Sequence, residues 1–254
     1  MATRLLRLNS RFKEVGGSNS DFKIVIPVTD LDNVAKITLL SASIPRLFGN
    51  IYPGIDKLTF FSPPTGFTTV VIPSGQYTAE ELAVVLTDLL PMVVSYVDHR
   101  FVFQNSTGSF INIIPAADSF ASYLGIIGGL LINAGTTLAA QNPPQLQGPL
   151  AIYIQSNAIA NNSCLDILAN GLSLPVVVPI HSGSVPYGFN INWIAPTQDE
   201  WLLLYTQFPD GQTLRQLDIR ICDCYGNVLL FPDNAFSDFV FKISYAEKDT
   251  TSTY

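Results

Sequence analysis

Apolar and polar residues alternate along much of this chain. Residues 22–28, FKIVIPV, place Phe22, Ile24, Ile26 and Val28 on one face of an extended segment. Residues 34–44, VAKITLLSASI, make a second run closed by Pro45, and a third short run lies at 57–61. Beyond residue 146 the pattern resumes at 150–155, 174–180, 188–194, 201–208, 214–223, 228–231 and 238–245. Phe189, Ile191 and Trp193 oppose Asn190 and Asn192. Leu217, Ile219 and Ile221 oppose Asp218 and Arg220, and Phe239, Phe241, Ile243 and Tyr245 oppose Val240, Lys242 and Ser244. Tyr225-Gly226-Asn227 predicts a hairpin turn. Many short strands separated by turn signals point to a sandwich, barrel or jelly roll.

One stretch breaks the period of two. In VVIPSGQYTAEELAVVLTDLL (70–90), a β-like run stops at Pro73-Ser74-Gly75 and a helical pattern begins. Thr78 stands as N-cap with Glu81 three residues on, the signature of a capping box. Tyr77 and Leu82 fit a hydrophobic staple, and Glu80 and Glu81 sit at the positive end of the helix dipole. Leu82, Val85, Leu86, Leu89 and Val93 share one face, and Pro91 predicts an end near Leu90. A phosphate loop needs several glycines and usually a lysine. Here one glycine precedes the helix and no cation lies between Lys57 and Arg100, so the loop reads as a hinge.

After the helix, SYVDHRFVFQNSTGSFINII predicts a hairpin turning at Asn105-Ser106-Thr107-Gly108, followed by one helical turn at 118–126. Gln141-Asn142-Pro143-Pro144-Gln145 reads as a linker. The three early strands are too few for a domain and most simply share one sandwich with those after 146. The expected organisation is a discontinuous sandwich, 1–65 and 146–254, beginning with a basic arm at 1–14. The segment 66–145 is then an α+β insertion of strand, capped helix, hairpin, helical turn and linker.

Composition narrows the role. Of 254 residues 48% are hydrophobic and only 13% charged, about half the usual charged share. Interface cores are depleted in charge, so the shortage points to a surface covered by other subunits. The formal net charge is −7, unevenly placed. Arg4, Arg7, Arg11 and Lys13 against Glu14 make residues 1–14 +3, which leaves the rest at −10. No Lys or Arg lies between Arg100 and Arg215, so the body is a poor nucleic-acid binder. No signal peptide is visible at the N-terminus. FASYLGIIGGLLINAGTTLAA (120–140) has the length of a membrane span but four glycines and no cationic flank, and reads as a buried loop or subunit contact.

Chemistry is sparse. Three cysteines, Cys164, Cys222 and Cys224, are too few for a disulfide scaffold and fit a reducing compartment. Cys222 and Cys224 are expected on the same face of a strand. His99 follows Asp98, and His181 precedes Ser182-Gly183. The nearest approach to a nucleophile elbow, Gly171-Leu172-Ser173-Leu174-Pro175, fails at its last position. Two histidines do not supply a cupin-type metal set. The carboxylate pairs Asp199-Glu200 and Glu80-Glu81 have bland explanations, a polar turn and a helix cap. Asn105-Ser106-Thr107 and Asn161-Asn162-Ser163 match the glycosylation pattern. Catalytic, metal and cofactor-binding residues are therefore assigned as none. A structural assembly subunit or a β-sandwich attachment or carbohydrate-binding module remains, with an enzyme third.

Four segments carry a family resemblance. ITLLSASIPRLFGNI (37–51), the 70–90 stretch above, FVFQNSTGSFINI (101–113) and SYLGI (122–126) resemble the penton, or minor capsid, proteins of virophages, polinton-type elements and some large double-stranded DNA viruses. Ser41, Ile44 and Pro45 match a strand ending Ser-x-x-Ile-Pro. Ile72, Pro73, Gly75, Tyr77 and Thr78 match an Ile-Pro-x-Gly-x-Tyr-Thr lead into a helix, and Leu124 and Gly125 match a closing Leu-Gly. Segments 152–180 and 214–231 are similar in style. The resemblance implies a non-enzymatic single jelly roll, made in the host cell, five copies of which close each vertex of an icosahedral virion. Its partners would be itself as a homopentamer and the major capsid protein. The basic arm would face internal capsid proteins, a membrane or the genome, and no small-molecule substrate is implied.

Overall fold

The computed structural model describes residues 2–26, 31–115, 120–157, 165–167, 173–181, 185–195 and 205–246, with the backbone alone at 165–167, 173–179, 205–207 and 209–210. In chain order its elements are β1 (Thr3–Asn9), β2 (Asp21–Val25), β3 (Val34–Pro45), β4 (Lys57–Ser62), β5 (Gly66–Val71) and helix α1 (Ala79–Leu89). Then come β6 (Val93–Val97), β7 (Arg100–Gln104), β8 (Ile111–Ile114), a 3₁₀ turn (Phe120–Ser122), β9 (Leu130–Ile132) and β10 (Thr137–Ala139). The chain ends with β11 (Ala151–Gln155), β12 (Leu165–Ile167), β13 (Ser173–His181), β14 (Asn190–Ile194), β15 (Tyr205–Gln212), β16 (Gln216–Cys222) and β17 (Asp238–Tyr245). They form two compact units, residues 1–47 with 149–254, and residues 48–148.

The first unit is a jelly-roll β-sandwich. One antiparallel sheet runs β1-β17-β3-β14, with β15 also on β3, and the other runs β12-β13-β11-β16-β2. The alternation of the sequence sets the faces. Phe22 and Ile24 from β2, Leu217, Ile219 and Ile221 from β16, and Phe239, Phe241 and Ile243 from β17 are all buried. Phe22 and Phe239, from opposite sheets, meet at 6.3 Å between ring centroids.

Residues 3–9 are not a free arm. They pair with β17 in unbroken register from Thr3↔Ser244 to Asn9↔Asp238, and Leu8 and Ser10 are buried. Leu5 stands 71% exposed beside a half-buried Leu6, which breaks the alternation and hides the strand from a period-two reading. The strand expected at 228–231 is a single bridge, Cys222↔Val228, beyond the turn at Tyr225-Gly226-Asn227. Val28, residues 201–204 and residues 118–119, all in expected elements, lie outside the described residues.

The second unit holds two antiparallel sheets, β5-β4-β8-β9 and β10-β7-β6, around α1. The strand at 57–62 pairs with β5 and β8, so it lies here rather than in the sandwich. The expected hairpin turn at 105–108 is also displaced. β7 pairs with β6 through a turn at Asp98-His99, whereas β8 pairs with β4 and β9 in the other sheet. Asp98 and His99 both have positive φ, 50° and 62°, as a two-residue type I′ turn requires. The sequence lacks the Asn-Gly that usually announces such a turn.

Helix α1 has the caps its sequence announces. Glu81 N donates to Thr78 Oγ1 at 3.2 Å and Thr78 N to Glu81 Oε2 at 2.9 Å. Leu82, Ala83 and Leu86 join Val94, Phe101, Phe103, Ile111 and Ile113 in one buried cluster. Val93, placed on the helix face by periodicity, belongs to β6 and is 47% exposed. The 120–140 stretch forms the 3₁₀ turn and two short strands. No helix among the described residues is long and apolar enough to cross a membrane.

Candidate functional site

The described residues singled out for chemistry fall in different elements and units. His99 is exposed at the β6–β7 turn of the second unit, and His181 is exposed at the end of β13 in the first. Glu80 and Glu81 serve the helix cap. Ser182-Gly183, Asp199-Glu200, Gly171-Leu172, Cys164 and Asn161-Asn162-Ser163 lie outside the described residues. Among the described residues, no three His, Cys, Asp or Glu side chains stand close enough to hold a metal ion.

The two described cysteines do not share a strand face. Cys222 is the last residue of β16 and fully buried, while Cys224 lies beyond it in the turn. Both are free thiols. Burial, then the neighbouring Asp223 carboxylate, pushes the Cys222 thiol up to about 12, so it is inert at neutral pH. Asp223 is itself buried and organises the turn. Its carboxylate accepts from Tyr225 N at 2.8 Å, Asn227 N at 2.9 Å and Asn227 Nδ2 at 3.0 Å.

Two buried asparagines fasten the loops of the second unit. Asn50, 2% exposed, clamps the segment before α1. Its Nδ2 donates to Tyr77 O at 2.8 Å and Leu146 O at 3.0 Å, and its Oδ1 accepts from Tyr77 N at 3.0 Å. The Gly75 turn is likewise fastened, since Gly75 and Ile51 exchange both backbone hydrogen bonds. A side chain on Gly49 would strike Gly75 O, so two glycines meet where the backbones touch. Gly75 is thus a bridge point between segments rather than a hinge.

Asn105 is the second. It is fully buried, with Nδ2 donating to Ser109 O and Ile132 O and Oδ1 accepting from Thr107 N. Both amide hydrogens are committed in the core, so the glycosylation pattern at 105–107 cannot be used in the folded chain. Only a buried amide's partners reveal such roles: Asn50 carries no local signal, and the local signals of Asn105 point to a turn or a glycan.

What the surface offers is apolar area. A groove of about 540 Å³ in the second unit, lined by Phe60, Pro63, Leu89, Pro91 and hydroxyl residues, brings together no ionisable side chain. On the sandwich, large apolar side chains stand out at both borders of one sheet. Leu5 is 71% exposed on edge strand β1, and Ile194 is 75% exposed on β14 at the opposite edge, with Phe189 at 65% just before it.

The basic residues among the first thirteen positions are partly engaged. Arg7 Nε lies 3.4 Å from Asp238 Oδ1, Arg4 and Arg11 stand over the rings of Tyr245 and Phe236, and Lys13 Nζ donates to Asn19 Oδ1 at 2.7 Å.

Fold and surface define a mainly β, jelly-roll chain with large apolar side chains exposed at the borders of one sheet. No family model matches the sequence, and no curated protein matches it. Among solved structures it is similar to the crystal structure of the selenomethionine-labelled mavirus penton protein, at 10% identity and a TM-score of 0.48, over 97% of this chain and 100% of that one.

Proposed function

We propose that this chain is a non-enzymatic capsid subunit, a penton protein that forms pentamers at the five-fold vertices of an icosahedral virion. The observation that carries the reading is the pair of apolar borders on one sheet, Leu5 on β1 and Ile194 on β14. A five-fold ring is a closed heterologous assembly, in which each subunit offers two different flanks to its neighbours. A sheet with large exposed apolar side chains at both edges has such flanks. The low charged share of the sequence, 13%, agrees with surfaces meant to be covered.

The residues that resemble the penton proteins occupy structural joints, which supports the same reading. Ser41, Ile44 and Pro45 close β3 against β14. Ile72, Gly75, Tyr77 and Thr78 form the fastened lead into α1. Gly125, at φ +86°, receives the 141–145 segment through Asn142 N. Native mass spectrometry of the purified chain tests the proposal. Five-copy rings are expected, and a chain that stays monomeric and is absent from particles overturns it.

A further inference from the structure

Edge strands leave a row of backbone N–H and C=O groups open, and natural proteins blunt them with charge, proline, bulges or cover. Several edges here are blunted. β1 carries Arg4 and Arg7, and β2 carries Asp21 and Lys23. At β6 the Val94 amide donates to Thr87 Oγ1 at 2.9 Å, and that hydroxyl lies 3.0 Å from Val94 O. Among the described residues, β5 ends its sheet without any such device. It reads Gly66-Phe67-Thr68-Thr69-Val70-Val71, with no charge, no proline and an unbroken register against β4. Its outward side chains Phe67 and Val71 are 73% and 57% exposed.

We propose that two copies of this chain join through β5, antiparallel and edge to edge, about a two-fold axis at Thr69. The sequence of the strand selects both the partner and the register. Opposite residues of an antiparallel pair share a face, so a two-fold axis normal to the sheet must pass through a residue. Centred on Thr69, Thr69 faces its counterpart, while Phe67 faces Val71 of the second copy and Val71 faces its Phe67. These are the threonine and aromatic–β-branched pairs that stabilise sheets. Centred on Thr68, Phe67 would face a threonine instead. Behind the joint, Thr59 Oγ1 already meets Thr69 Oγ1 at 2.9 Å, and the Phe61 ring lies 5.1 Å from Phe67. The threonine row therefore continues across the axis as a hydroxyl ladder, and the Phe61–Phe67 pair abuts Val71 of the second copy. Lys57, level with Val71, falls at diagonally opposite corners, so no like charges meet. This association is two-fold and cannot close a five-fold ring, so it stands apart from the vertex reading.

The test uses the full chain. Thr69→Cys under mild oxidation is expected to give an intermolecular disulfide between the two position-69 peptides, read by mass spectrometry, while Thr65→Cys at the β4–β5 turn is not. Thr69→Lys places like charges on the axis and is expected to abolish the pairing seen by sedimentation, with the thermal midpoint unchanged. Absence of the 69-to-69 link, or a Thr69→Lys chain that sediments as the parent does, overturns the proposal. If Thr69→Lys fails to fold, the disulfide result decides. A Thr69→Lys chain that no longer pairs yet enters particles leaves the vertex reading untouched.

Discussion

Single buried polar residues hold this molecule's loops, and they were the least legible part of its sequence. Asn105 looks like a turn residue or a glycan acceptor, yet it is a fully buried strut between the 105–109 loop and β9. Replacing it by Ala removes its amide donations to Ser109 O and Ile132 O and the oxygen that accepts from Thr107 N, at an expected cost of at least about 1–3 kcal/mol, measured by chemical denaturation. Cys222 gives a pH signature. Its folded value, about 12, lies above the ordinary 9.0, so the folded state holds its proton longer than the unfolded chain. Its contribution is fully present below pH 9.0 and is lost as pH rises toward about 12. A Cys222→Val chain is therefore expected to lose less stability than the parent between those values, by parallel melts across alkaline pH. Equal slopes would contradict the buried-thiol assignment.

Elements are legible in the sequence where local physics decides. Thr78 and Glu81 announce a helix start because capping acts within four residues, and the box is present. Thr78→Ala should cost about 1 kcal/mol, and Leu86→Ala about 2–5 kcal/mol because the side chain is fully buried. Strand pairing is a non-local choice, and there the sequence misled. The Asn105–Gly108 cluster looks like a better turn than Asp98-His99, but β7 and β8 find partners in different sheets. The first residues illustrate the same limit. Four cations in thirteen residues suggest a free arm, whereas Leu8 is buried and β1 is zipped to β17. Deleting residues 1–13 should therefore lower stability by at least the about 2–5 kcal/mol of a lost core leucine. Substituting Arg4, Arg7 and Arg11 by Gln should keep the strand and isolate any role of charge in particle assembly.

For the whole molecule, the mainly β class was legible because alternation repeats in many strands, and a jelly-roll sandwich is what they form. The resemblance to penton proteins pointed to the same architecture through short motifs at its joints. Which surfaces matter was not legible, since exposure of Leu5 and Ile194 depends on strand order rather than on sequence neighbours. The proposed role follows from that exposure. A chain with so little charge and such borders is explained if companions cover them. Electron cryomicroscopy of intact particles from infected cells addresses this most directly. Five copies of the sandwich around each icosahedral vertex, with β1 and β14 in the contacts between neighbours, is the predicted density. Particles whose vertices are built by another protein, with this chain absent, would contradict it.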